Sequence, residues 1–146
     1  MEFVNTLIKN LPTFGEALLM TLELAAVAIL LALVLGIIFG LFTVSGFKAL
    51  EFISAIYIDI IRGTPLLVQT FIIYYGLAQS LKPLGFSWAN IGGPFTAGVV
   101  ALSLNAGAYM AEIIRGGIQS VDKGQMEAAR SLGLPYFKAM RRVVLP

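Results

Sequence analysis

The sequence holds 146 residues, of which 58% are hydrophobic and 12% charged, with a formal net charge of +2. A water-soluble domain is about one-quarter charged, so this chain lacks the polar surface to cover a globule, and most of its solvent is lipid. Cysteine and histidine are absent, which excludes disulfides, thiolate chemistry, His-based metal sites and the usual general base. No phosphate-binding loop of the G-x-x-x-x-G-K-[S/T] type occurs, so the chain has no nucleotide site of its own, and no cofactor is expected.

Residues 1–16 read as a short amphipathic lead carrying Glu2, Lys9, Pro12 and Glu16. The apolar run that follows is too long for a cleaved secretory signal, so a retained first span is expected at about residues 20–44. Residues 24–47 contain no charge over 24 residues. As a helix that is about 36 Å, enough to cross a hydrocarbon core of about 30 Å. Within it Ala28, Ala32, Gly36 and Gly40 recur every fourth residue, a ridge of small side chains that lets another helix approach closely. The spacing does not say whether that partner is internal or another subunit. Glu23 reads as a wet carboxylate at the outer end.

Residues 45–51 form a tight polar turn with Lys48, and a second span is expected over residues 52–77. It includes Asp59, Arg62, Gly63 and Pro65, which puts a helix break near mid-membrane. Pro65 cannot donate to the carbonyl four residues back, and Gly63 loosens the same turn. Broken helices at membrane depth tend to line cavities, because freed backbone groups need partners. The plainer reading is a proline kink with Asp59 and Arg62 paired at i,i+3. A competing register starts the span at Pro65 and ends it at Leu81, leaving Arg62 at the inner surface.

Residues 78–94 read as a loop, with Trp88 marking a membrane interface. A third span is expected over residues 95–114, with Asn105 about halfway along. One amide in hydrocarbon either bonds a neighbouring helix or contacts a substrate, and both readings stay open. Glu112 and Arg115 form an i,i+3 pair at the inner end. From Ile118 the chain returns to water.

The last segment, EAARSLGLPYFKAMRRVVLP from Glu127 to Pro146, is polar and compact. Gly133 suits the left-handed end of one short helix, and Pro135 the first turn of the next. Met126, Ala129 and Leu132 share one helical face, and Phe137, Met140 and Val144 share another. Basic residues then orient the chain. Lys9 and Lys82 stand on one side, against Lys48, Arg115, Lys123, Arg130, Lys138, Arg141 and Arg142 on the other. The positive-inside rule predicts the N-terminus outside and the Glu127 segment in the cytoplasm.

The pattern E-A-A-x-x-x-G followed by Val143-x-Leu145-Pro146 resembles the EAA loop of permease subunits in ATP-binding-cassette importers, with Val143 where the family usually has Ile. Asn105-Ala-Gly-Ala-Tyr109, the stretch Glu112 to Ile118, Gly124-Gln125, and Arg62-Gly63-Thr64-Pro65-Leu66 resemble its polar amino-acid uptake branch. The resemblance implies an all-α, polytopic integral membrane protein of the type I importer transmembrane fold: three transmembrane helices in this chain plus a coupling loop over residues 118–146. It implies the bacterial-type inner or plasma membrane, two cytoplasmic ATP-binding subunits, a second permease subunit, an extracytoplasmic binding protein and a polar amino-acid substrate, with no nucleic acid. By the same resemblance Glu127, Ala128, Ala129, Gly133, Leu145 and Pro146 couple the chain to the ATPase. Asn105, Leu66, Gly63 and Pro65 are the expected substrate-path residues. The family continues past the Leu-Pro pair with further spans, so a fragment lacking its C-terminal spans is expected. A secondary transporter, or a membrane adaptor binding anionic lipid through its basic loop, are the alternatives.

Overall fold

The chain alternates long and short helices, in a computed structural model that describes residues 2–145, with side chains placed for Thr6 and from residue 8 onward. The elements are α1 (Glu2–Thr43), α2 (Lys48–Arg62), α3 (Leu66–Phe71), a π-helical stretch (Ile72–Leu77), α4 (Ala78–Leu81), α5 (Gly93–Ser120), α6 (Lys123–Ser131) and α7 (Tyr136–Ala139). Two short 3-10 turns, Lys82–Leu84 and Trp88–Ile91, precede α5, and a π turn, Met140–Val144, follows α7. The expected lead is part of the first helix, because α1 begins at Glu2 and runs through Pro12 without ending. A proline removes one backbone bond, and the apolar stretch beyond it carries the helix on.

The partner of the small-residue ridge is internal, and it is α5. A Cβ built on Gly36 would lie 2.5 Å from Met110 Cβ, and one on Gly40 2.9 Å from Ile114. From the other side, a Cβ on Gly98 would meet Leu24, and one on Gly107 would lie 2.9 Å from Leu35. Residue numbers on the two helices rise together, so α1 and α5 are parallel. Ala32 and Ala111 are wholly buried where the two helices meet, and Ala28, Ala97, Ala101 and Ala108 are also buried. Lipid tails are as apolar as leucine, so what holds such a seam is close van der Waals contact.

Between these two passes α2, α3 and α4 make the return. α2 is pinned at two points: Ser54 Oγ donates to Phe39 O at 2.7 Å, and Tyr57 Oη donates to Leu104 O at 2.7 Å. The Tyr57 ring also lies against Phe39, centroids 4.2 Å apart. α1 and α5 are each long and apolar enough to cross a membrane, and α2 with Leu66–Leu84 has together the length and apolar character of a broken span or a re-entrant loop. That pair is bent by 105° at the Gly63–Pro65 break, far beyond an ordinary proline kink. The expected second span, residues 52–77, is thus two half-helices meeting at an elbow.

Residues 78–94 are mostly helical. The helix continues to Leu84, and Gly85 turns the chain at φ 77°. Trp88 is tucked against the chain, 7% exposed. Its indole N–H donates to Ile73 O at 3.3 Å and Tyr74 O at 3.1 Å. Both carbonyls lie in the π-helical stretch, where the backbone ladder is widened, so the tryptophan stitches the loop onto that stretch. The third helix outruns its expected limits, 95–114, by extending to Ser120.

Candidate functional sites: the helix elbow and the helical corner

The elbow is a problem in backbone hydrogen bonding. Pro65 has no N–H, so Ile61 O, four residues back, loses its normal donor. The Gln69 carboxamide replaces it. Gln69 Nε2 donates to Ile61 O at 2.6 Å, and also faces Thr64 O at 2.9 Å and Thr64 Oγ1 at 2.8 Å. Thr64 Oγ1 in turn donates to Ile60 O at 2.8 Å. Gln69 is 6% exposed and sits one turn past the proline, in α3. Sequence reasoning passed over it as an ordinary polar residue. The signal that finds it is the orphaned carbonyl, which demands a donor within about one turn of Pro65.

Asn105 joins the same network. Its Nδ2 donates to Gln69 Oε1 at 3.0 Å, so α5 and the elbow meet through these two amides. Gly63 ends α2, its N–H donating to Asp59 O at 2.8 Å. Pro65 caps α3 in an extended conformation, and Leu66 begins that helix, partly exposed. The structure therefore gathers Gly63, Pro65, Leu66 and, through Gln69, Asn105 around one bend.

Two turns along α5 from Asn105, about 10 Å, lies a charged cluster. Arg62 faces Glu112 at 3.7 Å rather than Asp59, and its guanidinium stands 5.5 Å from the Tyr109 ring centroid. Arg115 grips Glu112 in a two-pronged pair, Nε to Oε2 at 3.0 Å, and reaches Gln119 Oε1 at 2.5 Å. Asp59 makes no ion pair among the described residues. The expected Glu112–Arg115 pair is present, and it neutralises a carboxylate that also holds the end of α2.

The second candidate site is the corner between α6 and α7. Asp122 Oδ1 accepts from Gly124 N at 2.6 Å and caps α6. The helix ends at Gly133, φ 81°. Gly133 N donates to Arg130 O at 3.0 Å and Leu134 N to Ala129 O at 3.2 Å, the paired bonds of a Schellman ending. Pro135 stands just before α7 rather than inside it. Ala129 and Ala139 are buried, whereas Ala128 is exposed. Leu132 and Phe137, either side of the corner, are each 84% exposed, because Leu132 lies past the end of α6 and has no turn to cover it. Glu127 is exposed, and its carboxylate has no partner among the described residues. Leu145 closes the π turn, its N–H donating to Met140 O at 2.9 Å, and Pro146 lies outside the described residues.

Similarity to known proteins fits this architecture. Residues 28–146 match the family described as binding-protein-dependent transport system inner membrane component. The arginine transport system permease protein ArtQ of Bacillus subtilis is 45% identical over 139 residues, covering 95% of this chain and 60% of that protein. The nopaline transport system permease protein NocM of Agrobacterium fabrum is 41% identical over 146 residues, covering 98% and 60%. A solved structure, described as the crystal structure of an amino acid ABC transporter with histidines, is 44% identical. It superposes with a TM-score of 0.80 over 97% of this chain and 62% of its own. The chain thus spans about 60% of the length of the curated relatives it matches. Its all-helical fold and the family match over residues 28–146 lead to one conclusion: the chain belongs to the family of binding-protein-dependent transport system inner membrane components.

Proposed function

We propose that the chain belongs to the permease subunit of an ATP-driven importer for a polar amino acid. In this reading α1, the α2–α4 return and α5 belong to the transmembrane domain that lines the path, beside a second permease subunit. A separate cytoplasmic ATPase hydrolyses ATP, and an extracytoplasmic binding protein delivers substrate. Support for the cargo comes from the relatives, whose names are those of arginine and nopaline permeases. The basic residues of residues 115–142 support placing the corner in the cytoplasm. Coupling is then a two-state equilibrium of the helices, biased from both ends.

The observation that carries this reading is the corner itself. A rigid helix–turn–helix presents an unpartnered Glu127 and two bare apolar side chains, Leu132 and Phe137. Such a surface serves little purpose without a partner. In the proposed complex Glu127 is paired with a basic group in a groove of the ATPase, while Gly133 sets the angle between the two helices. Ala128 keeps the outer face of α6 slim, and Leu145 belongs to the same coupling segment. Reversing a buried partner's charge costs about 3–5 kcal/mol, more than about a hundred-fold in binding. Glu127→Lys, in the complete transporter, is therefore expected to insert normally yet lose ATPase co-purification and substrate-stimulated ATP hydrolysis. Normal stimulation in that variant would sink the docking role; restoration by an opposite charge swap in the ATPase would establish the pair.

A further inference from the structure

We propose that Gln69 is a positioning residue that sets the polarity of the substrate path, by fixing which end of the Asn105 amide faces outward. The inference rests on the importer reading above and adds to it the chemical class of the group that Asn105 meets.

An amide side chain has a donor end and an acceptor end of nearly equal shape, so its orientation follows from its partners. Gln69 has no freedom in this respect. One end of its carboxamide lies 2.6 Å from Ile61 O and 2.9 Å from Thr64 O. Backbone carbonyls only accept, so that end is Nε2. Oε1 must then be the end that points to Asn105, and at 3.0 Å only a donor can stand opposite it. Asn105 is thereby turned with Nδ2 toward Gln69 and Oδ1 away. Oδ1 accepts no hydrogen bond among the described residues, and Asn105 is only half-buried. The proline at 65 thus fixes the orientation of an amide on another helix: the orphaned carbonyl orients Gln69, and Gln69 orients Asn105.

A carbonyl oxygen presented in this way takes a hydrogen-bond donor. The group met at Asn105 is accordingly a hydrogen-bond donor, of which an ammonium or guanidinium binds most strongly, and a carboxylate is repelled there. Hydrogen bonds to a charged group are the stronger kind, which suits a contact that a cationic group must make and then leave.

The test is a titration of the complete permease, assembled with its ATPase in lipid nanodiscs, with L-arginine, L-glutamine and L-glutamate in turn. For the amino acid bound most tightly, Asn105→Asp keeps an acceptor toward the ligand while losing its bond to Gln69 Oε1, and is expected to lose less than about threefold in affinity but to unfold at a lower temperature. Asn105→Leu removes it and is expected to lose at least about tenfold. Gln69→Ala leaves Asn105 free to rotate and is expected to lose about tenfold. Equal losses in Asn105→Asp and Asn105→Leu would reduce Asn105 to a donor for Gln69 and overturn the proposal. Wild-type affinity in Gln69→Ala, with Asn105→Leu impaired, would overturn the positioning role. Should none of the three amino acids bind, the importer reading itself fails, a result separate from either of these.

Discussion

The α1–α5 seam and the α2–α3 elbow solve opposite problems. At the seam every backbone bond is made inside its own helix, and the difficulty is bringing two regular cylinders close. Side chains are the obstacle, so Ala32, Gly36 and Gly40 lie against Gly107 and Ala111 with little between them. At the elbow the backbone is irregular, and the difficulty is that carbonyls have lost their donors. Here side chains are the remedy: Gln69 and Thr64 supply the missing hydrogen bonds, and Asn105 donates in turn to Gln69 Oε1. One region is built by removing atoms and the other by adding polar ones. In hydrocarbon both must be complete, since no water is present to repair an error.

The sharpest way to break the comparison is to make the elbow apolar. Gln69→Leu keeps the volume and removes every bond the carboxamide makes. Ile61 O loses its substitute donor, Thr64 O loses one as well, and Asn105 Nδ2 is left facing hydrocarbon. Each group so stranded costs about 1–3 kcal/mol, so the total for the three is expected at roughly 3–9 kcal/mol. Thermal unfolding of the purified complete permease in detergent should show a larger loss than any single substitution at the seam or at Trp88. An unfolding temperature within about 1 °C of wild type would mean that the carbonyls find other donors, and that the elbow does not depend on Gln69.

The same experiment at the seam is the converse substitution, one that adds atoms. In Gly36→Val the new Cβ would begin 2.5 Å from Met110 Cβ and 3.3 Å from Ala111 N. Neither neighbour is the flexible tip of a long chain, so the helices themselves must separate. Overpacking of this kind costs about 1–3 kcal/mol, and α1 should shift away from α5. Cysteine pairs engineered across the seam, Ala28 with Ala101 for instance, would report it as slower cross-linking than in the Gly36 parent. Unchanged cross-linking and unfolding would show that the seam is not closely packed at this level.

These two regions also differ in how much the sequence disclosed. The ridge on α1 is legible because a four-residue spacing marks one face of a helix. Its partner is not legible, because α5 has small residues at several spacings and nothing in a single chain says which face meets which. The break at Gly63-Thr64-Pro65 is legible from the chemistry of proline and glycine. Its 105° angle is not, since the bend is set by how α3 settles against α5. Gln69 was within reach. Counting four residues back from Pro65 identifies Ile61 O as an orphan, and the next polar side chain along is its donor. The Gly133 corner read best, because a left-handed helix ending is a local property of a few residues. The exposure of Leu132 and Phe137 beside it depends on tertiary placement and was not foreseen.

A third irregularity tests whether the rule at the elbow is general. The π-helical stretch at Ile72–Leu77 widens the ladder, and Trp88 answers it from the loop with one N–H shared between Ile73 O and Tyr74 O. The chemistry is that of Gln69, but two features weaken it. Both distances exceed 3.0 Å, so the shared bond is a modest one. The surroundings are also wetter in character: Tyr74, Trp88, Gln79 and Lys82 line an open cavity of about 670 Å³, roomy enough for water to reach the carbonyls. A water that bridges such groups recovers most of a lost bond. Trp88→Phe keeps the aromatic contact with Phe86 and removes only the N–H. It is expected to cost about 0.5–1 kcal/mol, a shift of roughly 2–4 °C or less in unfolding temperature, well below that of Gln69→Leu. A Trp88→Phe loss as large as the Gln69→Leu loss would show that this cavity is dry, and that its carbonyls depend on a protein donor as fully as those of the elbow do.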